Sequence, residues 1–166
     1  MKKISALVSV LFILSGCVSG QEIKELTPQK AFDMVKNEST YIIDIRSVAE
    51  YVFVGHPETA HNIPAAFWDE KKQGFETNER FMDDIQSRFG KNDTLIFICR
   101  SGGRSRRASA QAIQAGYTSV YHIGEGFEGK KDDEGYRTVD GWKNRGLPFT
   151  YKVDPELAYK FPGMQD

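Results

Sequence analysis

Cysteine and histidine are scarce in this chain, with two of the first and three of the second in 166 residues. His56, His61 and His122 are scattered, and with Cys17 and Cys99 they form neither a zinc-ligand pattern nor a local Cys–His dyad. Each histidine therefore reads as structural. Internal repeats and low-complexity tracts are absent, and the length suits one domain. No sign of charge prevails: 22 Lys and Arg stand against 23 Asp and Glu, a formal net charge of −1. Long apolar runs are lacking too. The apolar stretch Ile4–Leu14, behind Met1-Lys2-Lys3, has eleven residues. That is too short to span a bilayer and of ordinary length for a signal peptide.

What is present is a soluble composition, 40% hydrophobic and 27% charged, organised around one stretch. Thr94-Leu95-Ile96-Phe97-Ile98 is an apolar, β-branched run that reads as a buried strand. It stops at Cys99 and gives way to Arg100-Ser101-Gly102-Gly103-Arg104-Ser105. Ala108, Ala112 and Ala115, with Ile113 beside them, then mark the small-residue face of a helix. Backbone N–H groups at a helix start lack internal partners and carry the positive end of the macrodipole. Glycines let such amides converge into an anion-binding nest, and a cysteine at its rim is favoured as the thiolate. Arg100, Arg104, Arg106 and Arg107 add positive charge, with no acid among them. A solvated basic turn behind a core strand is the plainer alternative; the strand, glycines, arginines and helix together favour the nest.

The rest of the chain alternates strands with helices. Glu22–Leu26 is expected as a short strand. Thr27-Pro28 supplies N-cap and N1 residues for a helix to about Asn37. Tyr41–Ile45 is a buried strand with Asp44 and Arg46 at its carboxyl end, the edge where open parallel sheets bind ligands. Ser47-Val48-Ala49-Glu50 is a capping box. Gly55–Thr59 is a turn and Ala60–Ile63 a short strand. Phe67-Trp68 falls in a loop, as a lip of the site or as simple packing. Asn78 is expected to cap a helix to Phe89, with Gly90 ending it. Ser119–Ile123 is a further strand. In the Gly129–Gly141 loop Asp132, Asp133 and Glu134 lack the alternating spacing of a calcium loop, so a solvated loop is expected. Val139–Arg145 is predicted as a last helix carrying Trp142, and residues 151–166 as a tail packed for part of its length. The alternation predicts an α/β fold, a mostly parallel sheet with helices on both faces.

Two motifs carry a family resemblance. Cys99-Arg100-Ser101-Gly102-Gly103-Arg104-Ser105 resembles the active-site loop of rhodanese-like sulfurtransferases. Ile43-Asp44-Ile45-Arg46, Glu50-Tyr51, Gly55-His56-Pro57 and Asn62-Ile63-Pro64 resemble that family's other recurring signature, in its order and spacing. The resemblance implies a single rhodanese-like domain over residues 22–150. It also implies a sulfurtransferase in which Cys99 takes a sulfane sulfur from thiosulfate or a similar anion, becomes a persulfide, and yields the sulfur to a thiol or cyanide. Arg100, Ser101, Gly102, Gly103, Arg104 and Ser105 would bind the donor, Asp44 and Arg46 would support the loop, and neither metal nor cofactor is called for. Related phosphatases and arsenate-reducing enzymes of the same fold use a loop one residue longer, whereas Cys99 and Arg104 here enclose four residues. A phosphoryl or arsenate reaction is thus the second reading. A non-catalytic binding module is the third, although inactive relatives typically lack the cysteine.

Leu14-Ser15-Gly16-Cys17 resembles the lipobox of bacterial lipoproteins. It implies cleavage after residue 16, acylation of Cys17, a tether over residues 17–21, and a domain on the periplasmic side of the envelope. The outer membrane is favoured because Val18, not aspartate, follows the cysteine; a soluble periplasmic protein is the alternative. Loss of Lys2 and Lys3 would leave 20 basic residues against 23 acidic ones, a formal charge of −3. That balance argues against nucleic-acid binding. Cys99 would then be the one free thiol of an exported protein, which reactivity explains.

Overall fold

The structure is a computed structural model and describes residues 22–163. The signal-peptide, lipidation and tether assignments, Cys17 included, lie outside the described residues. The chain runs β1 (Lys24–Leu26), α1 (Pro28–Met34), β2 (Thr40–Asp44), a π-helical turn (Glu50–Val54), β3 (His56–Pro57), β4 (Ala60–Asn62), β5 (Ala66–Asp69), β6 (Gly74–Thr77), α2 (Phe81–Arg88), β7 (Thr94–Ile98), α3 (Gly103–Gln114) and β8 (Ser119–Ile123). Three short strands follow: β9 (Lys130–Lys131), β10 (Arg137–Val139) and β11 (Phe149–Thr150).

Five strands form one sheet in the order β1-β8-β7-β2-β4, with every pairing parallel. Alternate residues of the central strands feed two cores, as a sheet covered on both faces requires. Ile43, Leu95, Phe97 and Cys99 face Phe81 and Ile85 of α2 and Ala108 and Ala112 of α3. Ile42, Ile96 and Ile98 face Ala31 of α1, Phe127 and Trp142. The expected α/β architecture is therefore present, with Cys99 placed by strand alternation on the α2/α3 face.

Several local expectations are corrected. The loop expected around Phe67-Trp68 is an antiparallel hairpin, β5 pairing with β6 in the register Trp68↔Phe75. Its turn is held by Asp69 Oδ1, which accepts from the Lys71 and Lys72 amides. Helix α2 starts at Phe81, not at Asn78: the Asn78 side chain accepts from Arg80 N–H and donates to the Pro64 carbonyl, so it closes a turn ahead of the helix. α1 ends at Met34 because Asn37 folds back and donates to the Met34 carbonyl. Residues Gly129–Gly141 are not a plain loop but carry the small β9–β10 hairpin. The helix expected over Val139–Arg145 is a run of turns instead, in which buried Trp142 donates to the Pro148 carbonyl. Just before the tail β11 pairs with β3, and the tail itself is packed for part of its length: Asn62 N–H donates to the Leu157 carbonyl, and Tyr159 is buried with its hydroxyl on Asp84.

The carboxyl end of β2 is fixed by Asp44 and Arg46, both fully buried. Arg46 Nη2 donates to Asp44 Oδ2 at 2.6 Å and to the Gly55 carbonyl at 2.7 Å, and Nε donates to Asp44 Oδ1 at 2.9 Å. The guanidinium lies 4.3 Å from the centre of the Phe127 ring. Asn62 adds donations to the Asp44 and Arg46 carbonyls. One ion pair thus ties β2, the turn at Gly55, β4 and the segment after β8 together. Removing one partner of such a pair strands the other's charge in the interior. Replacing Asp44 by Asn is expected to cost about 3–5 kcal/mol. Urea unfolding of the variant measures this, and a loss below about 1 kcal/mol would show that the pair is not what holds the strand end.

Candidate active site

Strand β7 delivers the backbone to Cys99, and the chain must then reverse into α3 within three residues. Segment 124–128 supports this turn from behind. Phe127 N–H donates to the Cys99 carbonyl at 2.8 Å and Glu128 N–H to the Arg100 carbonyl at 3.0 Å. Gly102 has φ +91°, and a Cβ there would lie 1.9 Å from the Gly124 carbonyl oxygen. Glycine is the residue that fits both the dihedral and the contact.

Cys99 is nearly fully buried, yet it is among the residues lining a cavity of about 730 Å³. Its Sγ accepts the Gly102 N–H at 3.2 Å, in the turn that opens the twelve-residue helix α3. Ser105 Oγ stands 3.5 Å from the sulfur and donates to the Gly102 carbonyl at 2.8 Å. The sulfur therefore sits beside an inward-facing amide and near the positive end of a helix.

The loop residues take different places. Arg100, Ser101, Gly103 and Arg104 line the cavity with Cys99. Gly102 is buried behind the sulfur, and Ser105 is wholly buried beneath the loop, outside the cavity lining. Asp44 and Arg46 also lie outside the lining, in the interior behind the loop. Of the two aromatics, Phe67 packs on Tyr159 and Phe161, at ring distances of 5.5 and 5.7 Å. Trp68 stands edge-on to Phe75, which is itself a wall of the cavity.

Glu50 is the residue that sequence reasoning missed. As a capping-box residue it does what its spacing promises: Glu50 N–H donates to Ser47 Oγ, and Glu50 Oε2 accepts from the Ser47 amide. The same carboxylate also reaches the cavity and holds Arg104 with two bonds, Nη2 to Oε1 at 2.6 Å and Nη1 to Oε2 at 3.1 Å. Burial alone would push the Glu50 carboxyl up, but Arg104 and the Ser47 bonds outweigh it and bring the value down from 4.5 to about 2. Burial likewise opposes the Arg104 charge, while Glu50 and the nearby Cys99 raise its affinity for a proton. The signal for this role was available only as the Glu50-Tyr51 motif, which does not say where the carboxylate turns. Among the described residues no three His, Cys, Asp or Glu side chains gather as a metal site requires, and no helix is long and apolar enough to cross a membrane.

Comparison with known proteins gives a consistent result. A family model described as the rhodanese-like domain matches residues 27–133. An uncharacterised protein of Rickettsia conorii is 30% identical over 132 residues, covering 78% of this chain and 98% of that one. A protein named thiosulfate sulfurtransferase from Actinobacillus pleuropneumoniae is 28% identical over 127 residues, covering 75% and 90%. The crystal structure of Rv0390 from M. tuberculosis superposes with a TM-score of 0.69 at 31% identity, covering 80% of this chain and all of that one.

The Glu50–Arg104 pair has a pH signature. The folded-state carboxyl lies below its ordinary value, so its stabilisation is present above pH 4.5 and is lost as the pH falls toward about 2. Glu50→Gln, with no charge to lose, should unfold at lower urea than the wild type at neutral pH, and the gap should close as the pH drops through that window. Urea midpoints across pH measure it; a gap independent of pH would mean that the carboxylate charge contributes nothing.

Proposed function

The chain belongs to the rhodanese-like domain family, and from that premise we propose that it is a sulfurtransferase working through a Cys99 persulfide. The observation that carries this reading is the position of Cys99, a residue of the cavity lining whose Sγ lies 3.2 Å from the Gly102 amide at the start of α3. The Cys99 thiolate attacks the sulfane sulfur of a thiosulfate-like anion. A sulfur–sulfur bond forms to Cys99 as the donor's own breaks, and sulfite leaves with the electron pair. Donors aimed at the departing oxyanion lower the barrier most where they are already in place. Ser101, Gly103 and Arg100 line the cavity for that purpose, and Arg104 is held there by Glu50. Ser105 and Gly102, buried under the sulfur, orient it. Asp44 and Arg46 support the loop from the interior without touching the donor. A thiol or cyanide then removes the sulfur and restores Cys99.

The loop between Cys99 and Arg104 encloses four residues, and the Ser105 side chain is turned onto the Gly102 carbonyl. A ring this tight supports the sulfur reading over a phosphoryl reaction, since no further loop residue is free to embrace a phosphate. The lipobox resemblance supports a lipid anchor on Cys17 that holds the domain on the periplasmic side of the envelope.

After treatment with thiosulfate, intact-mass spectrometry should find a gain of one sulfur on the Cys99 peptide, absent in Cys99→Ser. Hydrolysis of an aryl phosphate without sulfur loading would instead assign the loop to phosphoryl chemistry. Arg104→Ala should lower kcat/KM for thiosulfate by the equivalent of about 2–4 kcal/mol; an unchanged rate removes Arg104 from the mechanism. Cys17→Ala should move the protein from the membrane fraction to the soluble one, and continued need of detergent would contradict lipidation.

A further inference from the structure

We infer that Glu25, on the edge strand β1, is a positioning residue for the Cys99 loop: its side chain lies on the backbone of Gly124 and holds that backbone against Gly102, whose amide faces the sulfur. The expected effect on turnover rests on the sulfurtransferase reading of Cys99; the expected effect on the Gly102 amide does not. Glu25 lies ahead of residues 27–133, the stretch that matches the family model.

The glycine at 124 is the first argument. Gly102 and Gly126 have positive φ, but Gly124 does not, so backbone strain is not what calls for glycine there. Glu25 is. A Cβ at residue 124 would collide with Cγ, Cδ and Oε1 of Glu25, the three atoms nearest to it. The stem of Glu25 thus fills the space that a side chain at 124 would need.

Strand geometry is the second argument. Leu26 packs into the core on the α1 side, so alternation turns Glu25 to the α3 side. There it stands beside His122, its register partner on β8. The Leu26 carbonyl accepts the Gly124 N–H at 3.2 Å, so β1 holds residue 124 by backbone and side chain together. The carbonyl of that same residue abuts Gly102, and Gly102 N–H donates to Cys99 Sγ at 3.2 Å. Three contacts lead from Glu25 to the sulfur: Glu25 on Gly124, Gly124 on Gly102, and Gly102 on Cys99.

The third argument is what keeps an exposed side chain in place, since that of Glu25 is 68% exposed. His122 is 3% exposed, and its Nε2 lies 3.6 Å from Glu25 Oε2. Its Nδ1 has no hydrogen-bond partner. Burial, with the Arg106 charge adding to it, lowers the imidazole's pKa from 6.5 against the pull of Glu25. The ring is therefore neutral at neutral pH, and the contact does not require a full charge on residue 25. Glutamine has the length and the polar end to make it.

A double-mutant cycle on the full chain tests the assignment, with two readouts. One is the position of the Gly102 amide in the nitrogen–proton NMR spectrum. The other is kcat and KM for thiosulfate, with cyanide as acceptor. Glu25→Ala should move the Gly102 amide and lower kcat about tenfold. KM should stay within about twofold, because the residues lining the cavity are untouched. Glu25→Gln, which keeps the stem over Gly124, should restore both readouts. Gly124→Ala puts a methyl group where that stem lies and displaces it, so in this background Glu25→Ala should change neither readout further. Wild-type readouts in Glu25→Ala, failure of glutamine to restore them, or an equal effect of Glu25→Ala in both backgrounds overturns the assignment. A displaced Gly102 amide in a protein that takes no sulfur from thiosulfate overturns the reading of Cys99 and leaves Glu25 as the support of the loop.

Discussion

Everything at the site depends on one close approach, that of the backbone at Gly102 to the carbonyl of Gly124. Strands β7 and β8 are parallel neighbours, so the segments leaving their carboxyl ends meet side by side. A side chain at residue 102 would collide with the Gly124 oxygen, and one at Gly126 would lie 2.5 Å from the Arg100 carbonyl oxygen and the Ser101 nitrogen. With both positions bare, the two exits lock together through the Phe127 and Glu128 amides. The Gly102 N–H is then aimed at the sulfur, and α3 opens beside the cavity. A side chain at either position would push the segments apart and turn that amide away.

Two ion pairs divide the remaining work by their depth. Asp44 and Arg46 are sealed from solvent, and every contact made by the Arg46 side chain is to interior groups. Such a pair costs desolvation on both sides and contributes mainly by fixing one arrangement of the strand end. Glu50 and Arg104 are 18% and 28% exposed at the side chain. There the carboxylate does two things at once, closing the cap of the turn that follows β2 and orienting a guanidinium at the cavity. The two pairs begin within one stretch of chain, so a single motif sets both the support and the rim.

The sequence made the core strands and the loop legible for a physical reason: buried parallel strands are short apolar runs, and glycines with a following small-residue face leave few local alternatives. Tyr41–Ile45 and Ser119–Ile123 read within one residue of the observed strands. The β5–β6 hairpin was illegible because its charged connection, Asp69-Glu70-Lys71-Lys72, looks like solvated loop, and its pairing is made across the turn by Trp68 and Phe75 rather than by a strong local pattern. Trp142 misled in the opposite direction. Its burial comes from contact with Phe32 of α1, a tertiary contact that needs no helix at Val139–Arg145. Glu50 was half legible, since a capping box announces the amide it satisfies but not the distant arginine it also binds.

The pairing of Arg104 with Glu50 sets how much positive charge that arginine presents at the cavity. Positive surroundings favour the charged sulfur, yet a thiolate that is stabilised too far becomes a weaker nucleophile. On the proposed sulfur-transfer reading Cys99 would serve in both directions, attacking the donor first and departing from its persulfide afterwards. The sulfur is met by one inward amide where a helix opens, and the nearby guanidinium carries its own counter-charge. The Glu50 carboxylate therefore does two things at the cavity: it holds Arg104 in place and offsets the charge that Arg104 brings there.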